Sequence, residues 1–135
     1  MQKPETKYKI VMLVDDNEID NMINQKMLES RNFAERYYVH TSGKSALDFL
    51  ENLIGSSSEK DLLPDLILLD INMPLMDGFQ FLEEFATLSS KINKNIEVFM
   101  LTTSINPSDK DTADENNMIS KFLTKPLTLN QLKGF

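Results

Sequence analysis

The 135-residue sequence contains no cysteine and one histidine, His40, and both shortages narrow its chemistry. Without cysteine there can be no disulfide framework, thiol nucleophile or thiolate metal site. A single histidine excludes a histidine-rich zinc site and leaves little basis for a Ser–His–Asp triad. Basic residues are also scarce: 14 Lys and Arg face 21 Asp and Glu, a net charge of −7. That balance argues against a nucleic-acid binder, which needs a basic face for phosphates, and against adhesion to an anionic membrane. Long apolar runs are missing as well; the densest are four to five residues, far short of a membrane span. The opening Met1-Gln2-Lys3-Pro4-Glu5 lacks the apolar core of a leader, so the expected location is the cytoplasm. What remains is ordinary globular composition, 41% hydrophobic and 26% charged, at the length of one domain.

Short apolar runs alternate with amphipathic stretches. Ile10-Val11-Met12-Leu13-Val14 predicts a strand buried on both faces. Ile19, Met22, Ile23 and Met27 then recur at helical spacing, and Arg36–Thr41, with Tyr37-Tyr38-Val39, predicts a second strand. Ala46, Leu47, Leu50, Leu53 and Ile54 form a helical stripe behind a Ser42 N-cap, followed by a polar loop from Gly55 to Asp61. Leu66–Leu69 predicts the third strand, Phe79, Leu82, Phe85 and Ala86 the next helix, and Val98–Leu101 the fourth strand. Asn106-Pro107 reads as an N-cap with proline at the first helical position, opening a helix to about Asn116. Ile119–Leu123 predicts a short fifth strand, and Leu127, Leu129 and Leu132 begin a last helix. Strands joined by helices imply an open parallel α/β sheet. The methionines and phenylalanines read mostly as core fillers, and His40 as structural.

The predicted strands end in polar residues that a core does not need: Asp15-Asp16, Asp70, Thr102-Thr103 and Lys125-Pro126. In open α/β sheets ligands bind beyond the carboxyl ends of the strands, at the topological switch point. With the flavodoxin-like strand order 2-1-3-4-5, Asp15, Asp16 and Asp70 converge on one crevice, with Thr102 and Lys125 across it. Three carboxylates without Cys or His suit a hard, oxygen-liganded cation, most simply Mg²⁺. An Asp can attack phosphorus to give an aspartyl phosphate, a transfer that needs mainly positioning and charge neutralisation.

Val14-Asp15-Asp16-Asn17, Asp70-Ile71-Asn72-Met73-Pro74-Leu75-Met76-Asp77-Gly78, Met100-Leu101-Thr102-Thr103-Ser104 and Lys125-Pro126 together resemble the receiver domain of two-component response regulators. The resemblance runs from about Lys9 to Leu129. It implies a flavodoxin-like (βα)5 sandwich filling residues 1–135 as a single domain without an output domain. It further implies that Asp70 is the phosphoacceptor, served by a sensor histidine kinase or a histidine phosphotransfer protein, and that the signal passes to a downstream protein. By the same resemblance Asp16 ligates Mg²⁺ directly, Asp15 holds it partly through water, and the Asn72 backbone carbonyl completes the shell. Thr102 is the hydroxyl that moves to the phosphoryl group, Lys125 its ammonium partner and Phe122 the aromatic rotamer switch. The Lys125–Pro126 bond matches one that is commonly cis in the family. The domain's only catalysis would be its own phosphorylation and dephosphorylation.

The sequence departs from the family pattern in places. Thr103 stands where Ala or Gly is frequent, which adds bulk beside the phosphoryl group. Asn116-Asn117 replaces a frequent Gly-Ala, and the last helix is short. The helix after Pro107 offers one apolar residue, Ala113, so it should pack weakly in a region the family reorganises on phosphorylation. Gly43-Lys44-Ser45 lacks the first glycine of a P-loop, Pro74 and Leu75 break an EF-hand reading of Asp70-Ile71-Asn72, and Asp77-Gly78 reads as a turn and helix start. One alternative is a haloacid-dehalogenase-like phosphatase, which Asn72 disfavours because it cannot shuttle a proton. Another is the excised receiver of a longer regulator or hybrid kinase.

Overall fold

The apolar runs form β1 (Tyr8–Val14), β2 (Ala34–His40), β3 (Leu66–Asp70), β4 (Glu97–Thr102) and β5 (Ile119–Thr124). They alternate with α1 (Glu18–Ser30), α2 (Gly43–Gly55), α3 (Gly78–Ser89), α4 (Pro107–Glu115) and α5 (Leu129–Leu132). The computed structural model describes residues 6–56, 60–103, 107–125 and 127–132. All strand pairs are parallel, in the order β2-β1-β3-β4-β5. The expected flavodoxin-like α/β architecture is therefore the one observed.

Two cores follow from the period-2 alternation of the strands. Met12, Val14, Ile67, Leu69, Val98 and Met100 face α2 and α3, meeting Ala46, Leu50, Phe81 and Phe85. Val11, Leu13, Leu66, Leu68, Phe99 and Leu101 face the other side, meeting Leu28, Phe33 and Leu127. The central strands are buried on both faces, which explains their unbroken apolar runs. At the amino ends of the strands, the Asp65 carboxylate accepts the Lys9 and Ile10 backbone N–H groups and pairs with Lys94 at 2.9 Å.

The helix faces are partly as the pattern predicts. The α2 stripe is buried behind Ser42, whose side chain accepts the Ser45 N–H. In α3 the buried face is Phe81, Leu82 and Phe85, with Phe79 half-buried and Ala86 exposed. That rotates the inner face away from the expected Phe79–Ala86 edge. In α1 the spacing marks the helix but not its inner face: Ile19, Met22 and Ile23 are 63%, 50% and 43% exposed and Met27 is half-buried against the second core, whereas Asn21, Asn24 and Leu28 are buried. Met22 is thus not a core filler. The expected loop after α2 also contains a 3₁₀ turn at Lys60–Leu62.

α4 starts at Pro107 as expected and ends at Glu115. Ser108, Lys110, Asp111, Thr112 and Glu115 are exposed, and the helix rests on β5. The Asn106 cap, the Ala113 side chain, Ser104 and the peptide bond before Pro126 lie outside the described residues. With no buried side chain among its described residues, α4 should exchange its amides faster than α2 and α3. Hydrogen-exchange protection of Asp111–Glu115 equal to that of α2 would contradict this.

Candidate functional site

The sheet register brings the polar strand ends together. Val14 pairs with Leu69 and Asp70 with Leu101, so Asp15 and Asp70 follow one another across β1 and β3. Thr102 pairs with Thr124, and the Lys125 N–H donates to the Thr102 carbonyl at 2.7 Å. Lys125 therefore leaves β5 beside the end of β4. Asp15, Asp16 and Asp70 each present a carboxylate oxygen within 4.8 Å of the others; Asp15 and Asp70 are buried and Asp16 is exposed. An all-oxygen anionic set of this kind fits a hard cation such as Mg²⁺.

Lys125 ties the cluster together. Its ammonium lies 2.5 Å from Asp15 Oδ2, 3.2 Å from Asp20 Oδ2 and 3.3 Å from Asp70 Oδ1. The lysine side chain is 8% exposed, so solvent screens these pairs far less than surface ion pairs. Burial alone would lower the Lys125 pKa, but Asp15, Asp70 and Asp20 override it and the net direction is upward. Burial and the neighbouring Asp15 charge push the Asp70 pKa up to about 6, against the pull of Lys125 and the Asn72 backbone N–H. A carboxylate so placed is desolvated yet held by a cation, which suits a nucleophile.

Local backbone chemistry positions these groups. Asn17 caps α1 by accepting the Ile19 and Asp20 N–H groups, while its own N–H donates to Asp15 Oδ1 at 2.9 Å. Asn21 Nδ2 donates to the Asp15 carbonyl at 2.9 Å, and its buried Oδ1 finds no hydrogen-bond partner among the described residues. After β3, Asp77 and Gln80 close a capping box on α3. Gly78 is required there: a Cβ would sit 2.8 Å from the Asp70 carbonyl oxygen and 3.1 Å from Ile71 Cα. Between them the Met76 N–H donates to the Pro74 carbonyl around Leu75, fully exposed at φ 69°. That conformation is costly for a bulky side chain.

Each expected site residue can now be located. Asp15, Asp70 and Lys125 are in direct contact, Asp16 completes the carboxylate cluster, and the Asn72 N–H reaches Asp70. Thr102 is buried at the end of β4 beside Lys125, and Thr103 is exposed. Phe122 is half-buried on β5 against the core under α2 and α3. His40 is structural: its Nδ1 lies 2.9 Å from Ser45 Oγ and its ring packs on Phe49. Gly43-Lys44-Ser45 opens α2 behind its cap, with no phosphate loop. The residue overlooked by sequence reasoning is Asp20. Its position three residues after Asn17 reads as ordinary helix capping, which hides its contact with Lys125.

The space beside Lys125, lined by Asp20, Ile23, Asn24, Thr103 and Lys125, is about 150 Å³. Pockets that enclose small ligands are typically about 300–1,000 Å³, so this one does not enclose a metabolite.

Comparison with known proteins agrees with this arrangement. Residues 11–134 match the family model of the response regulator receiver domain. The chain is 33% identical to a probable methanogenesis regulatory protein, FilR2, of Methanothrix harundinacea, over 92% of this chain and 76% of that protein. It is 32% identical to the response regulator Rcp1 of Synechocystis, over 92% and 81%. A solved structure of Rcp1, in a Mn²⁺-bound form, superposes with a TM-score of 0.70 at 30% identity, covering 92% of this chain and 86% of that one. A two-component response regulator from Cytophaga hutchinsonii superposes with a TM-score of 0.84 at 28% identity, covering 95% and 93%. None of these similarities supports the phosphatase alternative. No helix among the described residues is long and apolar enough to cross a membrane.

The raised Asp70 pKa has a consequence for stability without metal. From an ordinary 3.8 it rises to about 6, so the folded protein holds the proton more tightly than the unfolded chain. The stability this contributes is full below 3.8 and lost as the pH rises through about 6. Asp70→Asn, which removes the charge but keeps the shape, should therefore stabilise the metal-free protein by about 1–3 kcal/mol at about pH 8. The gain should fade to near zero below about pH 4. Urea unfolding across this range measures it, and a loss of stability at alkaline pH would contradict the assignment.

Proposed function

The chain belongs to the response regulator receiver family, and from that premise we propose that Asp70 is its phosphoacceptor, with Mg²⁺ held by Asp15, Asp16, Asp70 and the Asn72 carbonyl. Receivers take phosphoryl groups from histidine kinases and related hybrid kinases, and the donor proposed here is a phosphohistidine on such a kinase or on a phosphotransfer protein. In the transfer an Asp70 carboxylate oxygen bonds to phosphorus as the P–N bond breaks, and the pair of electrons returns to the imidazole. The observation that carries this reading is the buried Asp70 carboxylate, 3.3 Å from the Lys125 ammonium, inside the three-carboxylate cluster.

Each remaining group has a defined task. Lys125 offers its ammonium to the phosphoryl oxygens, and Thr102 its hydroxyl from the end of β4. A bound Mg²⁺ would supply further neutralisation of the transferred oxygens. Phe122, on the strand that carries Lys125, is proposed as the switch that relays phosphorylation to a protein-binding face. The products are phosphorylated receiver and free donor histidine, and later, when water hydrolyses the acyl phosphate, the free Asp70 carboxylate and inorganic phosphate.

Wild-type protein incubated with acetyl phosphate and Mg²⁺ should gain one phosphoryl group by intact-protein mass spectrometry, and Asp70→Asn should gain none. Labelling of Asp70→Asn would refute the assignment. Asp16→Ala should weaken Mg²⁺ binding by about 10-fold or more in calorimetric titration. Unchanged affinity would remove Asp16 from the metal shell.

A further inference from the structure

We propose that Asp20 is a positioning residue for phosphoryl transfer, holding the Lys125 ammonium where it serves Asp70; this rests on the phosphoacceptor reading above. Asp20 is not at a strand end. It comes from the first turn of α1, and its Oδ2 accepts a hydrogen bond from Lys125 Nζ at 3.2 Å. The ordinary reading of an acidic residue there is helix capping. The two capped helices that flank the site argue otherwise.

In α3, Asp77 accepts the Gln80 N–H and the Gln80 side chain returns the bond to the Asp77 N–H, at 2.8 and 2.9 Å. In α1 the first half of that box exists, since Asn17 Oδ1 accepts the Asp20 N–H at 3.1 Å. The second half does not, because the Asn17 N–H goes to Asp15 Oδ1. The Asp20 carboxylate is thereby released from capping and turned to Lys125. Ile23, Asn24 and Thr103 line the small space beside the pair, and of these Asn24 is buried.

Charge arrangement gives Asp20 a task that its neighbours do not share. Lys125 has three N–H donors, and three carboxylates stand around it: Asp15, Asp20 and Asp70. Asp15 and Asp70 belong to the carboxylate cluster that suits a metal, and Asp20 does not. When those two are engaged by a cation, Asp20 is the carboxylate left to fix the ammonium at the end of a flexible four-carbon stem. The benefit is orientation of a group already in reach, at the moment Asp70 reacts.

The test uses the full chain and three variants: Asp20→Asn, Asp20→Glu and Asp70→Asn. With acetyl phosphate at saturating Mg²⁺, Asp20→Asn should form aspartyl phosphate roughly 3- to 10-fold more slowly than wild type. Asp20→Glu, which keeps the charge, should recover most of the rate. In ¹⁵N-labelled protein with Mg²⁺, the Lys125 ammonium resonance should be sharp in wild type and Asp20→Glu and broadened in Asp20→Asn. A rate for Asp20→Asn equal to or above wild type would overturn the proposal. So would a slowed rate with an unchanged Lys125 resonance, because Asp20 would then act through the fold. Labelling of Asp70→Asn would instead overturn the phosphoacceptor reading, whatever Asp20 does.

Discussion

Like charges gathered within hydrogen-bonding reach, away from water, repel strongly unless a cation stands among them, and in this protein the cation is the ammonium of Lys125. Asp15 and Asp70 are buried and Asp20 closes from α1, all three around one lysine, and Asp16 adjoins Asp15 and Asp70. One positive charge against four negative ones leaves the site anionic, an electrostatic setting that suits a divalent ion. The position of Lys125 follows from the β4–β5 register, in which Thr102 faces Thr124 and the next residue turns into the cluster. A slip of one residue in β5 would send the ammonium to the other side of the sheet.

The fold exists, in this sense, to bring strand ends to one place. Parallel strands all finish at the same edge, and their alternating side chains are committed to two cores up to the last apolar residue. In β1, β3 and β4 the first polar residue beyond the core, Asp15, Asp70 or Thr102, then falls at that edge. α3 must also begin almost in contact with Asp70, which only Gly78 allows. Its cap, closed by Asp77 and Gln80, sets how the loop from Ile71 leaves the strand. The strained turn at Leu75 lies within that loop, between two points that packing holds in place.

Much of this was legible in the residues. The five runs, the α2 stripe, the Ser42 cap and the start of α4 at Pro107 can be read from apolar spacing and capping chemistry, and they put Asp15, Asp16, Asp70 and Lys125 at the strand ends where the structure has them. The inward face of α1 was not legible. Hydrophobic periodicity finds a helix and assumes that its apolar side faces inward; here Asn21 and Asn24 lie inside, with Asn21 hydrogen-bonded to the Asp15 backbone. Asp20 was hidden for a related reason. Its spacing from Asn17 matches a capping pattern, and only three-dimensional placement shows that the cap was left open. The burial of Phe81 on α3 likewise shows only once the helix is set against β3, which it approaches closely at Gly78.

The inverted α1 separates two demands that most amphipathic helices must meet with the same residues. Asn17, Asn21 and Leu28 fasten it to the sheet, while Ile19, Met22 and Ile23 face outward and contribute little to the interior. Mutational drift can therefore rewrite the outward side without disturbing the attachment. Gene duplicates of such a chain could diverge at Ile19 and Met22 in which neighbours they recognise while keeping the same attachment to the sheet, whereas Ile23 borders the space beside Lys125.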